Sequence, residues 1–224
     1  MSRLGAYWLD LKTLPGDALL AYRHEGWTGA WKAAASRSLH RIFRRGHLMV
    51  FAHQVDQMVD LPPPAGVRIS QPTAAEWARL ASLVGRRELQ RFRALSARGR
   101  RCLVAWRGET PVGYAWVADD LGPDVAVSPL PLEFPSSAAY LLNLYVLPSE
   151  RSSGIGSALA SGRLRLARES GFREGWRMVA PTNAPSLRTV QKTGAGTRLI
   201  GEIRFTQLLG RTYARFTPSG AVTS

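Results

Sequence analysis

Short runs of apolar residues in the middle of the chain predict strands. Cys102–Trp106 and Val112–Val117 are rich in β-branched and aromatic side chains, and the Arg107–Pro111 segment between them contains the glycine and proline of a hairpin turn. A third apolar run, Tyr140–Val146, is closed by Pro148. These runs predict three strands.

Helical spacing appears on both sides of these strands. Thr73 and Glu76 have the spacing of a capping box, which predicts a helix through Trp77, Leu80 and Leu83. A second helix is expected from about 86 to 97, a third from about 154 to 170 and a fourth from about 184 to 193. The third has an apolar face at spacings of three and four residues: Ile155, Ala158, Leu159, Gly162 and Leu166.

Shorter strands complete the order of elements. They are expected at 67–69, 176–179, 197–205 and 211–216, so that residues 67–217 follow the order β-α-α-β-β-β-α-β-α-β-β. Mixed elements in this order predict an α/β domain.

The run Pro62–Pro64 predicts an internal boundary, because consecutive prolines favour a stiff, extended connector. We therefore divide the chain into an N-terminal extension (1–61), a connector (62–66), a main domain (67–217) and a short tail (218–224). The extension has many aromatic residues, a basic stretch over 37–45 and an apolar strand at 48–52. Its composition predicts that it is folded, and its role is open.

The charge of the chain favours anionic ligands. Thirty Lys and Arg against sixteen Asp and Glu give a formal charge of +14. Only three of the basic residues are lysines, which fits either forked recognition of phosphate or a coding bias toward arginine.

The sequence has no apolar run long enough for a membrane span and no secretory signal at its start, and its one cysteine, Cys102, excludes an intrachain disulfide. We expect a cytoplasmic protein that does not bind membranes.

The most specific chemical signal lies between the 140–146 strand and the helix that follows. Gly154 and Gly156 allow a tight turn, and the first amides of a helix have no carbonyl partners, so this turn is suited to bind phosphate. A Walker loop is excluded because the chain contains no Gly-Lys pair, and a dinucleotide fingerprint is excluded because Leu159 stands where its third glycine belongs.

The segment Val146–Leu159 resembles the acyl-CoA signature of the GCN5-related N-acetyltransferase (GNAT) family, Arg/Gln-x-x-Gly-x-Gly/Ala after a Val-x-Pro strand end. Asn183–Ser186 and Lys192–Gly194 resemble the family's second block. The resemblance covers about 66–217 and implies the GNAT fold, with a central mixed, mostly antiparallel sheet flanked by helices. It also implies acetyl-CoA as co-substrate, no metal, and a cofactor site that comprises Leu144, Val146, Arg151, Ser152, Ser153, Gly154, Ile155, Gly156, Ser157, Asn183 and Ser186.

The chain departs from the family pattern at the positions that move protons. Leu142 and Asn143 stand where many relatives have acidic residues, and Val190 stands where the family often has a tyrosine that protonates the leaving thiolate. We name Tyr145, Asn143 and Tyr140 as candidate catalytic residues, with Glu133 as a further candidate from the preceding loop. His47, His53 and Cys102 lack the spacing of a metal site.

The resemblance implies transfer of an acetyl group from acetyl-CoA to a primary amine by direct attack in a ternary complex. Two alternatives remain: transfer of a longer acyl group, and a degenerate GNAT fold that senses CoA or binds nucleic acid. The second rests on the charge of +14 and on the missing acid and base. The acceptor is open, and a homodimer is compatible with the sequence.

Overall fold

The computed structural model describes residues 43–121, 130–194, 196–209 and 211–220. The predicted extension therefore lies outside the described residues up to position 42, as does the end of the tail from 221. The described strands are β1 (Phe43–Gln54), β2 (Val67–Ser70), β3 (Arg101–Arg107), β4 (Thr110–Ala118), β5 (Ala138–Val146), β6 (Glu174–Val179), β7 (Thr197–Leu208) and β8 (Arg211–Pro218). The helices are α1 (Glu76–Arg79), α2 (Ala81–Ala97), α3 (Ile155–Glu169) and α4 (Ala184–Lys192), with a 3-10 turn at Pro148–Glu150.

The strands form one sheet in the order β2-β3-β4-β5-β6-β1-β7-β8. Every pairing is antiparallel except β5 with β6, which is parallel. The predicted α/β class with a mixed, mostly antiparallel sheet and flanking helices is confirmed.

Alternate residues of the central strands face opposite layers of helix, as the two-residue period of a strand requires. Leu103 and Leu141 pack with Leu159 of α3 on one face, whereas Val104 and Leu142 pack with the α2 side on the other. Gly85, at φ +80°, kinks the helical segment close to the place where the sequence predicted two helices to meet. The central strands are therefore buried between α3 and the α1–α2 layer.

Strands β5 and β6 separate toward the end of β5, and this opens the edge of β5. Their pairing covers only Ala138 to Tyr140 on β5. On its other side β5 carries a bulge: Trp116 pairs with Leu142 and Tyr114 with Tyr145, so that two residues of β5 lie opposite one residue of β4. Asn143, the first of these two, has φ +45°, a conformation that non-glycine residues rarely adopt.

Strand β1 precedes the proline run, yet it lies inside the sheet. Val50 pairs with Met178 of β6 and with Gly201 of β7. The residue just before the connector also contacts the main domain, because the Leu61 amide donates to Ser161 Oγ of α3 at 3.0 Å. Residues 43–54 therefore belong to the sheet and not to a separate extension. Their backbone groups pair with β6 and β7, and apolar side chains such as Val50 are buried there. The division of the rest of the chain into domains stays a prediction.

A buried polar cluster joins β1 to β6 and β7. His53 is fully buried, with Arg177 Nε donating to its Nε2 at 2.7 Å and Thr197 Oγ1 2.6 Å from its Nδ1. Because Nε2 accepts from a cation, the ring is neutral with its proton on Nδ1. Burial, followed by the charges of Arg177 and Arg163, lowers the pKa of His53 to about 2.

This low pKa predicts that acid destabilises the protein through His53. The unfolded imidazole titrates near pH 6.5, so between that pH and about 2 the unfolded state holds one more proton than the folded state. The stabilising contribution is present above pH 6.5 and is lost as the pH falls below it, by up to about 1.4 kcal/mol per pH unit. Urea unfolding at pH 7, 6 and 5 is expected to show a shallower pH dependence for His53→Gln than for the parent. Parallel curves would contradict this assignment.

Candidate functional site: a cavity at the end of the central strand

The turn after β5 places backbone amides at the open edge of the sheet. Gly154 precedes α3 with φ +94° and ψ −13°, a left-handed conformation that glycine adopts without strain. A Cβ at Gly154 would meet no atom within 4 Å, so the position is open to a ligand. Gly156 is almost as open, with only Val146 Cγ2 at 3.8 Å. The first amides of α3 have no carbonyl partners within the helix and, together with the helix dipole, favour an anion here.

Neighbouring contacts hold this turn in place. Glu150 accepts two hydrogen bonds from Arg107 of β3, at 3.0 and 2.7 Å, and these bonds lower the pKa of the Glu150 carboxyl. Arg151 Nε donates to the Val146 carbonyl at 3.2 Å, and Ser153 Oγ donates to the Glu150 carbonyl at 2.5 Å. The turn is therefore anchored to β3 and to the end of β5 before any ligand binds.

The second wall is the start of α4. Asn183 caps this helix, because its Oδ1 accepts from the Ser186 amide at 3.1 Å. This bond occupies the side-chain oxygen and leaves the Asn183 NH₂ group without a hydrogen bond among the described residues. Asn183 thus both begins the helix and presents a donor to the space beside β5.

Between these walls lies a cavity of about 590 Å³. It contains three cationic side chains, those of Arg151, Arg188 and Lys192, and none of the described residues that line it is acidic. The rest of the lining comes from the end of β5, the glycine turn and α4: Leu144, Tyr145, Val146, Ser152, Gly154, Gly156, Ser157, Asn183, Pro185, Ser186 and Thr189. The cavity suits an elongated ligand with a strongly anionic end.

Most of the residues that the sequence assigned to a cofactor line this one cavity, from Leu144 through Ser157 and from Asn183 to Ser186. Two do not. Ser153 directs its hydroxyl to a backbone carbonyl of the turn, and Ile155 is fully buried in the core beside Leu159. These two positions can meet a ligand only through their backbone.

The three candidate catalytic residues are in different surroundings. Tyr145 lines the cavity, with its ring 5.6 Å from that of Tyr114 in a stacked arrangement. Asn143 is exposed at the bulge, outside the lining. Tyr140 is buried against Phe134, and burial raises its pKa to about 12. Of the three, only Tyr145 is at the cavity wall, and the further candidate Glu133 is exposed and outside it.

Position 190, where the family's second block often has a tyrosine, is a core position in this chain and holds Val190. The side chain is 4% exposed and packs with Phe51 of β1 and Val179 of β6. Because β1 fills the sheet next to α4, the position serves the core and does not reach the cavity.

Sequence reasoning missed the α4 face on which Pro185, Arg188, Thr189 and Lys192 lie. Arg188 and Thr189 follow Pro185 by three and four positions, and Lys192 follows them by four and three, which places these residues on one side of the helix. That spacing was the available signal, because Ser186, which the sequence assigned to the cofactor, stands three positions before Thr189 on the same side of α4.

The remaining chemical groups belong to the fold. Cys102 is buried, and burial raises the pKa of its thiol, which makes a thiolate unfavourable. His47 hydrogen-bonds Glu202 at 2.8 Å. Within the described ranges no three metal-ligating side chains come together, and no helix there is both long and apolar enough to cross a bilayer.

The fold and the cavity together give a mixed α/β sheet in which β5 and β6 part beside a glycine turn suited to bind phosphate. Residues 69–200 match the family model described as the acetyltransferase (GNAT) family. The chain belongs to this family. A search of curated proteins finds no significant match.

Solved structures share the fold at low sequence identity. A Drosophila protein is 16% identical with a TM-score of 0.55, and the match covers 80% of this chain and 56% of that one. A glucosamine N-acetyltransferase region of a fungal multi-domain β-N-acetylglucosaminidase is 14% identical with a TM-score of 0.54, over 79% and 22%. A GCN5-related N-acetyltransferase from Sphaerobacter thermophilus is 14% identical with a TM-score of 0.51, over 84% and 57%. This chain spans less than two thirds of each of these proteins.

Proposed function

We propose that this protein is an acyltransferase that transfers an acetyl group from acetyl-CoA to a primary amine, by direct attack in a ternary complex. The observation that carries the proposal is the cavity. It is lined by the glycine turn, by three cationic side chains and by the part of β5 that no longer pairs with β6. CoA is an elongated ligand whose phosphates lie at one end and whose thiol lies at the other. Its phosphates would bind at the turn, and its arm would run along Leu144–Val146 toward the bulge.

The proposed residues divide by the part of the donor that they would meet. Arg151 and the amides around Gly154 and Gly156 would bind the pyrophosphate. The backbone of Leu144 and Val146, with Asn183 and Ser186 across the cavity, would bind the pantetheine arm. Ser152, Ser153, Ile155 and Ser157 complete the turn.

In the reaction, the neutral amine attacks the thioester carbonyl carbon, and a C–N bond forms. As the tetrahedral intermediate collapses, the C–S bond breaks and the thiolate leaves. The amine proton passes to water or a side chain, and the thiolate takes up a proton. Tyr145 is the proposed proton donor because it is the one of the three candidates that lines the cavity. Asn143 would hold a water near the attacking amine, and the buried position of Tyr140 makes it the weakest of the three proposals.

A panel of amine acceptors, assayed by thiol release with acetyl-, succinyl- and long-chain acyl-CoA, tests this function. Turnover with acetyl-CoA and at least one primary amine is the expected result. Calorimetry measures acetyl-CoA binding separately from transfer, and the absence of binding at millimolar acetyl-CoA would refute the proposal. CoA binding without transfer, or steeply salt-dependent binding of nucleic acid, would instead favour a sensing or binding protein.

Tyr145→Phe is expected to lower kcat by about tenfold or more, within the usual range of proton-transfer catalysis. The affinity for acetyl-CoA should change by less than about twofold, because the ring and its stacking on Tyr114 are retained. Steady-state kinetics and calorimetry measure the two effects. Tyr114→Phe, the same change on the partner ring outside the cavity, is the control. An unchanged kcat would remove Tyr145 from the mechanism.

The double substitution Arg188→Gln and Lys192→Gln is expected to weaken acetyl-CoA binding by about three- to tenfold, since each exposed charge contributes only a few tenths to one kcal/mol. Binding of acetyl-pantetheine, which lacks the phosphates, should not change. Calorimetry at low and high salt should show the loss shrinking as salt rises. Arg93→Gln with Arg168→Gln removes the same charge from exposed positions outside the cavity. An equal loss in this control would mean that only net charge matters.

We also propose a cytoplasmic location, on the basis of the single, buried and free cysteine.

A further inference from the structure

Arg163 is a buried cation in the middle of α3. Only 3% of it is exposed, and it forms no ion pair with a carboxylate of the described residues. Burial lowers its pKa to about 10, so the guanidinium is still charged at neutral pH. Burying a charge without a carboxylate costs several kcal/mol, so an apolar side chain at this site would serve packing better. The contacts of Arg163 therefore point to a role other than packing.

The hydrogen bond that defines this role goes to β5. Arg163 Nη1 donates to the Leu142 carbonyl at 3.2 Å, whereas its Nε has no partner among the described residues. Leu142 lies beyond Tyr140, the last residue of β5 that pairs with β6, and immediately before the bulge at Asn143. Arg163 thus binds β5 where the β6 pairing has ended and where the backbone adopts an uncommon conformation.

The segment after this hydrogen bond is a wall of the cavity, formed by Leu144–Val146. The N-terminus of the same helix forms the other end of the cavity at Gly154. One rigid helix therefore contacts both the turn and the bulge, so it can fix the distance between them.

We propose that Arg163 is a positioning residue that holds the β5 bulge, and with it the strand edge along which the acyl end of the donor lies. Its role in turnover rests on the proposed function, because only there does a thioester lie beside Leu144–Val146. Its role in holding the bulge does not depend on any ligand.

Three variants separate positioning from simple stability. Arg163→Met removes the donor, and Arg163→Lys keeps the charge with a shorter reach. Arg177→Met removes another buried arginine, which bonds His53 and Thr193 and does not contact the bulge. Hydrogen–deuterium exchange over residues 141–147 of the ligand-free protein reports on the bulge. Calorimetry with acetyl-CoA and kcat measurements report on the site.

Arg163→Met is expected to raise amide exchange over 141–147 by about tenfold and to lower kcat by about tenfold, with acetyl-CoA affinity within about threefold of the parent. Arg163→Lys should be intermediate in both. Arg177→Met should lower stability but leave exchange over 141–147 and kcat per folded molecule unchanged. If the parent acetylates no amine but Arg163→Met still raises exchange over 141–147, the positioning of the bulge is supported and the proposed function is refuted separately.

Parental exchange and kcat in Arg163→Met would overturn the proposal, as would the same changes in Arg177→Met. If Arg163→Met does not fold, Arg163→Lys decides the matter: parental exchange and kcat in that variant would also overturn it.

Discussion

Gly154→Glu is expected to weaken acetyl-CoA binding at least about a hundredfold. The new carboxylate would stand at the turn that is proposed to hold the pyrophosphate, and two like charges about 4 Å apart repel by about 4 kcal/mol near a protein surface. Because no atom lies within 4 Å of a Cβ at this position, the side chain can be accommodated and the sheet should still form. Calorimetry and kcat/KM for acetyl-CoA measure the loss.

Gly99→Glu is the matched control. Gly99 is exposed after α2 at φ +83°, close to the +94° of Gly154, and has the same open surroundings. It lies outside the cavity, so it carries the same backbone strain and the same charge at a position without a ligand. If Gly154→Glu binds acetyl-CoA as well as Gly99→Glu does, the phosphate assignment is wrong.

Gly113→Ala is expected to lower the free energy of unfolding by about 2–3 kcal/mol, as overpacking of a close-packed core does. A Cβ on Gly113 of β4 would lie 2.8 Å from the Tyr145 carbonyl oxygen and 3.2 Å from Leu159 Cδ1. The leucine can rotate, but the carbonyl cannot move unless β5 shifts at the cavity wall. Urea unfolding measures the stability, and acetyl-CoA affinity should fall together with it.

Gly162→Ala makes the same change in α3 with the opposite expectation. A Cβ added at Gly162 would have Leu103 Cδ1 as its nearest neighbour, at 3.3 Å, and this methyl group belongs to a flexible side chain. Alanine favours a helix interior over glycine by roughly 0.5–1 kcal/mol, so stability should stay within about 1 kcal/mol of the parent. Equal destabilisation of the two variants would refute the argument from the Tyr145 carbonyl.

Elements fixed by near neighbours could be predicted from the sequence. The capping box at Thr73 is present, with its amide donating to Glu76 Oε2 at 2.8 Å, and the hairpin between β3 and β4 forms at the predicted place. The helix after Gly154 begins at Ile155, within one residue of its expected start. Turn and cap chemistry acts over a few residues, so their order along the chain carries the information.

The candidate site could be located but not completed. The glycine turn and Asn183 were readable because both mark the start of a helix. Arg188 carried no signal in the sequence, and Lys192 entered only as part of the second block, until α4 was placed beside the turn. Val190 could equally have faced a ligand, and only the packing against β1 assigns it to the core.

The sequence by itself determined the family, the class of the fold and the turn at Gly154, because these depend on periodicity and on short motifs. Only the tertiary structure placed β1 between β6 and β7, although β1 lies before the proline run. It also decided two contacts of buried arginines, Arg163 with Leu142 and Arg177 with His53, whose partners lie 21 and 124 positions apart in the chain. The sequence of an apolar strand shows that the strand will be buried, but not which strands it will pair with. Near and distant partners differ little in the entropy of closing the loop between them, because this entropy grows slowly with loop length. Packing and backbone hydrogen bonding across the whole sheet make that choice.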